Sequence, residues 1–385
     1  MNNELGTAFG ACVGATEKEF EAEKTRVASA FHRDTIEKSA AEQAGFSAFC
    51  MPGHKGRLDP LDQSEHDEDY LFPAASVVNA EEKAARHYGV KKARFLVCGA
   101  SMGVKAAFMA AKCDVVAPEF THRSAGLGAR LAGTKLLTFS AGESGGLPNV
   151  PAPGDYEKAF SDHPSARAAL VTSPDYFGRT ADVRGIKEVC DRLGKLLIVD
   201  AAHGAHFASR PDIFPVGGEK YADFAVLSAH KTLRAMTQSA IGAVNNERYF
   251  AAYDDALDLI GTTSPSYRLL SSLENAIAFE EENGANYDEL ANACRELKSR
   301  IKCLASGDPL RVTVDCGEYG ATGERLYYEC VKRGVMPETF FGGYCVFIVT
   351  LSDDADKVRL LTRTLEEILF GTTRMTEERT EKRTI

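Results

Sequence analysis

The chain has 385 residues and a formal net charge of −10 at neutral pH, with 44% hydrophobic and 26% charged residues. That length accommodates one large domain and a smaller companion, and the acidic surplus disfavours a nucleic-acid backbone or an anionic membrane as the main partner. Ten cysteines without a C-x-x-C pair speak against a zinc ribbon or a dithiol redox motif, and most of them are expected to be buried thiols in a reducing compartment.

The opening residues, MNNELGTAFGACVGATEKEF, have neither the basic start nor the long apolar core of a leader, and no later stretch is long enough to span a bilayer. A cytoplasmic enzyme is the expectation. From Thr16 to Glu42 the spacing of Phe20, Val27, Phe31 and Ile36 predicts an amphipathic helix, so residues 1–55 are assigned to a helical arm lying on the main body or on a second subunit. MPGHKGR is then a Pro/Gly-rich turn, and LDQSEHDEDY a polar loop.

Residues 56–265 are assigned to a large domain, because short apolar runs alternate there with helical ones. RFLVC, CDVVA, KLLTF, AALVT, LLIVD, FAVLS and IGAVN read as buried strands, with helical segments such as 103–112 and 183–193 between them. Such alternation gives an α/β fold with a mostly parallel sheet covered by helices on both faces. A helical region at 269–304 then leads to RVTVD, a helix at 323–333, YCVFIVT and a helix at 353–370. These make a small α+β domain, assigned to 266–371. The final residues, 372–385, have no apolar period and read as a frayed tail.

Ligands of open α/β sheets collect at the carboxyl ends of the strands. After LLIV stands Asp200, in DAAHGAHF; a carboxylate there can bind a metal, cap a helix or partner a cationic nitrogen. His203 and His206 have no third ligand nearby, so no metal is expected. After RFLVC comes GASMGVKAAF, a glycine-bracketed turn into a helix whose backbone N–H groups suit a phosphate. It matches neither the P-loop nor the dinucleotide fingerprint. After FAVL comes Ser228-Ala229-His230-Lys231. An anion cradle, a carboxylate and a lysine at neighbouring strand ends are the parts that pyridoxal 5′-phosphate requires: a phosphate site, a partner for the pyridine nitrogen and an amine for the aldehyde.

Eight stretches in order, MPGHKGR, FLVCGASMG, EFTHRS, VTSPDYFG, VDAAHGAHF, SAHKTLRAMTQSA, TTSPSYRLLSSLE and GVMPE, resemble the Orn/Lys/Arg decarboxylase family of fold-type-I pyridoxal-phosphate enzymes. The resemblance runs from residue 51 to about 350. It implies the aspartate-aminotransferase-like fold, a homodimer with active sites at its interface, and decarboxylation of arginine, lysine or ornithine to an amine, within amino-acid and polyamine metabolism. By the same comparison Lys231 is the Schiff-base lysine, Asp200 the partner of the pyridinium, and His122 the histidine over the ring that takes part in proton transfer. His203 lies beside the ring. Ala100, Ser101 and Met102 form the cradle, Ser228 and His230 contact the phosphate, and Ser264 reaches it from the neighbouring subunit. Glu338 meets the substrate's far end.

The sequence departs from the family pattern in four ways. The cradle reads Cys98-Gly99-Ala100-Ser101 where N-G-S-T is usual. Residue 201 is alanine where glutamate is frequent. TFFGG follows Glu338 in place of a nearby aspartate. The chain also reads as a short member, without the extra N- and C-terminal domains of larger ones. Two rivals share the cofactor reading: an aminotransferase or other amino-acid lyase, which usually needs an arginine such as Arg311 or Arg359 to clamp the α-carboxylate, and a non-catalytic cofactor-binding protein.

Overall fold

The structure is a computed structural model that describes residues 74–371 and, before them, positions 18, 19, 22, 35, 36, 54, 55 and 57–59. The expected arm at 1–55, the loop at 61–70 and the tail at 372–385 otherwise lie outside the described residues.

The apolar runs form the strands expected of them: β1 Lys92–Leu96, β2 Val115–Pro118, β3 Leu136–Phe139, β6 Ala168–Thr172, β7 Leu196–Asp200, β8 Phe224–Leu227 and β9 Ala240–Val244. Two short strands unmarked in the sequence, β4 Glu143–Ser144 and β5 Leu147–Pro148, make a hairpin. The sheet has seven strands in the order β1-β9-β8-β7-β6-β2-β3. It is mostly parallel; β9 alone runs against both of its neighbours. The β8–β9 connection, residues 228–239, holds a single helical turn, Ala229–Thr232, and no full crossover helix. A parallel return needs a crossover with a full helix, so this chain reverses at the sheet's carboxyl edge and leaves SAHKTLRAMTQS there.

Alternate strand residues feed two separate cores. Val116, Ala169, Val171, Leu197, Val199, Ala225 and Leu227 face one; Val115, Ala117, Ala168, Leu170, Ile198, Phe224 and Val226 face the other. This double burial is why the strands read as unbroken apolar runs. On the second face the helix Ala100–Ala111 comes so close that a Cβ on Gly103 would stand 2.8 Å from Leu96 and 3.0 Å from Val226.

A third core surrounds a small antiparallel sheet, β10 Arg311–Asp315, β12 Tyr344–Ile348 and β11 Thr339–Phe341, in that order. The long helical region is two helices, Tyr267–Asn283 and Tyr287–Arg300. Tyr267, Leu270, Leu273, Ala276 and Ile277 of the first are buried in the large sheet's core, and Tyr287 opens the small one. Phe207 and Phe214 of the earlier region are buried in the small core as well. Among the described residues no helix is long and apolar enough to cross a membrane.

Candidate active site

The strand ends singled out in the sequence converge on one cavity of about 610 Å³. Ala100, Ser101, His122, Asp200, His203, Ser228, His230 and Lys231 all stand on its wall.

Lys231 owes its place to the reversal after β8. Ser228 opens the short helix, and the Lys231 amide donates to the Ser228 carbonyl at 3.1 Å. The returning chain is stitched down by the Ser239 carbonyl, which accepts from the His230 amide at 3.3 Å and from His230 Nδ1 at 2.9 Å. It is tied to the turn before the helix Ala100–Ala111 as well, because the Gly99 N–H donates to the Gln238 carbonyl at 2.8 Å.

Gly99 has φ of 75°, a left-handed value that favours glycine. It delivers the chain into the helix Ala100–Ala111 with no side-chain cap on the helix terminus. Orphan amides at a helix start, with the dipole behind them, form a site for an anion. Ala100 and Ser101 are at this point, but Met102 is not. Its amide donates to the Gly99 carbonyl at 3.0 Å and its side chain belongs to the second core, so it corrects the expected cradle. The helical period turns the third residue inward, where the first two face the cavity.

Asp200 ends β7 and is buried, accepting from the Ala202 amide at 3.1 Å. Burial raises its carboxyl above the usual range against the opposing pull of that N–H, Lys231 and His122. A buried carboxylate without a paired cation is costly. His122, also on the cavity wall, caps the helix Arg123–Ala132: its Nδ1 accepts from the Ser124 amide at 3.3 Å.

His203 is buried against the lysine, with Nε2 3.1 Å from Lys231 Nζ. Its Nδ1 lies 3.4 Å from Nη1 of Arg311, which reaches across from β10 and also donates to the Tyr176 carbonyl at 2.8 Å. Burial, then the positive charges of Lys231, Arg311, His122 and His206, hold the His203 imidazole well below its usual range. Burial also lowers the Lys231 ammonium; Arg311 pushes the same way, and Asp200 and Glu338 oppose. Both conditions favour neutral nitrogen at the centre of the site.

Glu338 and Ser264 do not line this cavity. Glu338 is exposed and joined to it through Tyr176, whose hydroxyl donates to Oε1 at 2.5 Å while the ring packs edge-on against His203. Ser264 is exposed, its amide donating to Thr262 Oγ1 at 3.1 Å.

The cavity also presents Phe120, Tyr176, Phe177, Arg179 and Phe341, none of which the sequence analysis selected. Tyr176, Phe177 and Arg179 follow strand β6 in VTSPDYFGRT, so the strand-end rule applied there would have marked them. Arg179 donates from Nε to Asp175 at 2.7 Å and from Nη2 to the Pro148 carbonyl at 2.8 Å.

One glycine holds this arrangement closed. Gly178, φ +83°, lies so near Arg311 that a Cβ would stand 2.5 Å from the arginine Cβ. Gly178→Ala is expected to cost roughly 2–4 kcal/mol, from left-handed strain plus overpacking, read as a lower denaturant midpoint. An unchanged midpoint would contradict this tight contact.

Among curated proteins, the chain is similar to arginine decarboxylase of Bacillus subtilis (strain 168), 27% identical over 371 residues, 83% of this chain and 74% of that protein. It is also similar to the uncharacterised protein YaaO of the same organism, 29% identical over 69% of this chain and 63% of that one. Among solved structures, the constitutive lysine decarboxylase of E. coli superposes with a TM-score of 0.73 at 17% identity, over 90% of this chain. The chain spans 62% of that protein's length. This likeness gives the fold, fold type I, as the sequence led one to expect. The family model described as Orn/Lys/Arg decarboxylase, major domain, matches residues 59–315, two thirds of the sequence, and the chain belongs to that family.

Proposed function

We propose that the protein is a pyridoxal-phosphate-dependent decarboxylase of a basic amino acid. The observation that carries this reading is the meeting of Lys231, the buried Asp200 and the uncapped helix start at Gly99 on one cavity wall. The residues fit the cofactor. Asp200 offers a desolvated negative charge for a protonated ring nitrogen; the amides of Ala100 and Ser101, with Ser228 and His230, would hold the phosphate. Pyridoxal 5′-phosphate, when bound, supplies an aldehyde for the substrate's amine and a pyridinium that takes up the electron pair left by departing CO2.

The chain's own residues do the rest. Lys231 would provide the amine that holds the cofactor, and His122 or Lys231 would return a proton to the substrate's Cα. Phe120, Phe177 and Phe341 give the wall an apolar side, and a carboxylate set against them would be relieved of its charge on leaving as neutral CO2. An aminotransferase needs a cation to clamp that carboxylate. The candidates raised for this role are elsewhere: Arg311 is not on the cavity wall, and Arg359 is exposed and paired with Asp356 at 2.7 Å. Arg179, which is on the wall, is already engaged by Asp175. This favours decarboxylation over transamination.

The basic end of the substrate is assigned to Glu338, oriented by Tyr176. Arginine leads among the substrates because the Bacillus subtilis relative carries that name. A homodimer accounts for Ser264, which stands clear of its own chain's cavity and would serve the partner's. The test is a screen of arginine, lysine and ornithine with the cofactor-loaded protein. Release of CO2 and the matching amine is expected, and Glu338→Gln should raise KM about tenfold or more with kcat largely kept, the loss of one charge-assisted contact. A 2-oxo acid as product would overturn the reading in favour of transamination.

A further inference from the structure

We propose that Arg311, which lies behind the cavity wall, is a positioning residue that fixes the proton of His203 and so presents Lys231 to the cavity as a neutral amine. The argument is one of donors and acceptors. A guanidinium can only donate. With Arg311 Nη1 at 3.4 Å from His203 Nδ1, Nδ1 must be the ring's lone pair, and the ring proton sits on Nε2. That N–H in turn faces Lys231 Nζ at 3.1 Å, and an N–H can only donate. Nζ accepts, which an amine does and an ammonium cannot. Were Lys231 charged, two donors would face each other across this part-buried contact with no acceptor between them.

Arg311 cannot easily give way. It is among the largest fully buried side chains, its stem is wedged against Gly178, and Nη1 spends its other proton on the Tyr176 carbonyl at 2.8 Å. The charged and titratable groups around the pair act together. Lys231 faces Asp200, Arg311 and Glu338 besides His203; His203 faces Lys231, Arg311, His122 and His206. Four cationic or potentially cationic groups about one imidazole favour its neutral form. Asp200 and Glu338 pull Lys231 towards the ammonium, and the directed N–H of His203 works against them. A lysine at position 311 would likewise only donate, so it should keep the lone pair on Nδ1 where an uncharged side chain does not.

This inference rests on Lys231 being the amine that meets the cofactor's aldehyde, yet its tests use the full chain without cofactor, so either idea can fail alone. In ¹⁵N-imidazole NMR, with His203→Gln identifying the signals, His203 is expected as the neutral Nε2–H form from about pH 6 to 8. In Arg311→Met the ring should shift to the Nδ1–H or charged form. Acetic-anhydride labelling of Lys231 near neutral pH, normalised to exposed lysines, should then fall roughly three- to tenfold, with the midpoint of its pH profile moving upward. Arg311→Lys should largely restore the Nε2–H form. An Nδ1–H or charged ring in the unaltered protein, or unchanged tautomer and labelling in Arg311→Met, would overturn the proposal. If Arg311→Met does not fold, the unaltered ring and Arg311→Lys still decide: a lysine variant that folds normally yet loses the Nε2–H form counts against the proposal, and a wild-type Nδ1–H ring ends the idea.

Discussion

Lys231→Ala should abolish borohydride fixation of pyridoxal phosphate and lower CO2 release by about a thousandfold or more, the scale expected when a covalent nucleophile is removed. Among the described residues no other lysine stands on the cavity wall, so no neighbour can take over the bond. Lys231→Arg should be equally inactive, since a guanidinium keeps the charge but is not a nucleophile at neutral pH. The folded chain should not suffer. Burial depresses the Lys231 ammonium, so charging this group opposes folding at pH values below its ordinary range. Cofactor-free Lys231→Ala should therefore melt no lower than the parent at neutral pH. Residual trapping on another lysine, or activity within tenfold of the parent, would contradict the assignment.

Asp200→Asn should separate function from stability. Without a carboxylate the ring nitrogen is no longer held protonated, and decarboxylation should fall by roughly a hundredfold or more. The cofactor-free protein, by contrast, should gain stability at neutral pH. Burial raises the Asp200 carboxyl above its usual range. The stability associated with such a group is fully present below the unfolded value and is lost as pH rises through the raised folded value. At pH 7 the parent thus folds against the cost of a buried charge that asparagine avoids, while the Ala202 N–H can still be accepted by an amide oxygen. Thermal melts from about pH 7 down to about pH 4 should show the variant's advantage shrinking with acid. Equal melting temperatures across that range, or undiminished activity, would refute the account of Asp200.

Much of the site was legible because its parts sit at strand ends, where an alternating pattern marks position without any knowledge of contacts. Asp200, Ser228 and Lys231 were singled out by that rule, and the roles proposed for them, with His122, came from reading the strand ends together and from resemblance. Met102 was misplaced because a motif carries no helical phase: one turn into Ala100–Ala111 the side chain points into the core. Tyr176 and Arg179 were missed although they follow a strand that was correctly placed, since aromatic and paired residues lack the signature of a reactive group. Arg311 could not be found from spacing. Its meaning comes from His203, which approaches it from the other sheet, and sequence separation conceals such cross-core pairs. In the fold, the alternate burial that defines the two faces of the large sheet was visible only as unbroken apolar runs, and the reversed β9 only as a short connection.

The Gly99–Gln238 hydrogen bond has a consequence for how this site could be altered. The Gly99 turn and the lysine loop come from distant parts of the chain, yet this bond joins them, and the paired bonds from His230 to Ser239 close the loop on itself, so that they form one mechanical unit. A loop transplanted from a relative would arrive without its matching turn and would lose register at the anion site even if its lysine were in place. The two segments can be expected to evolve, open and exchange their amide hydrogens together, as a single inherited part.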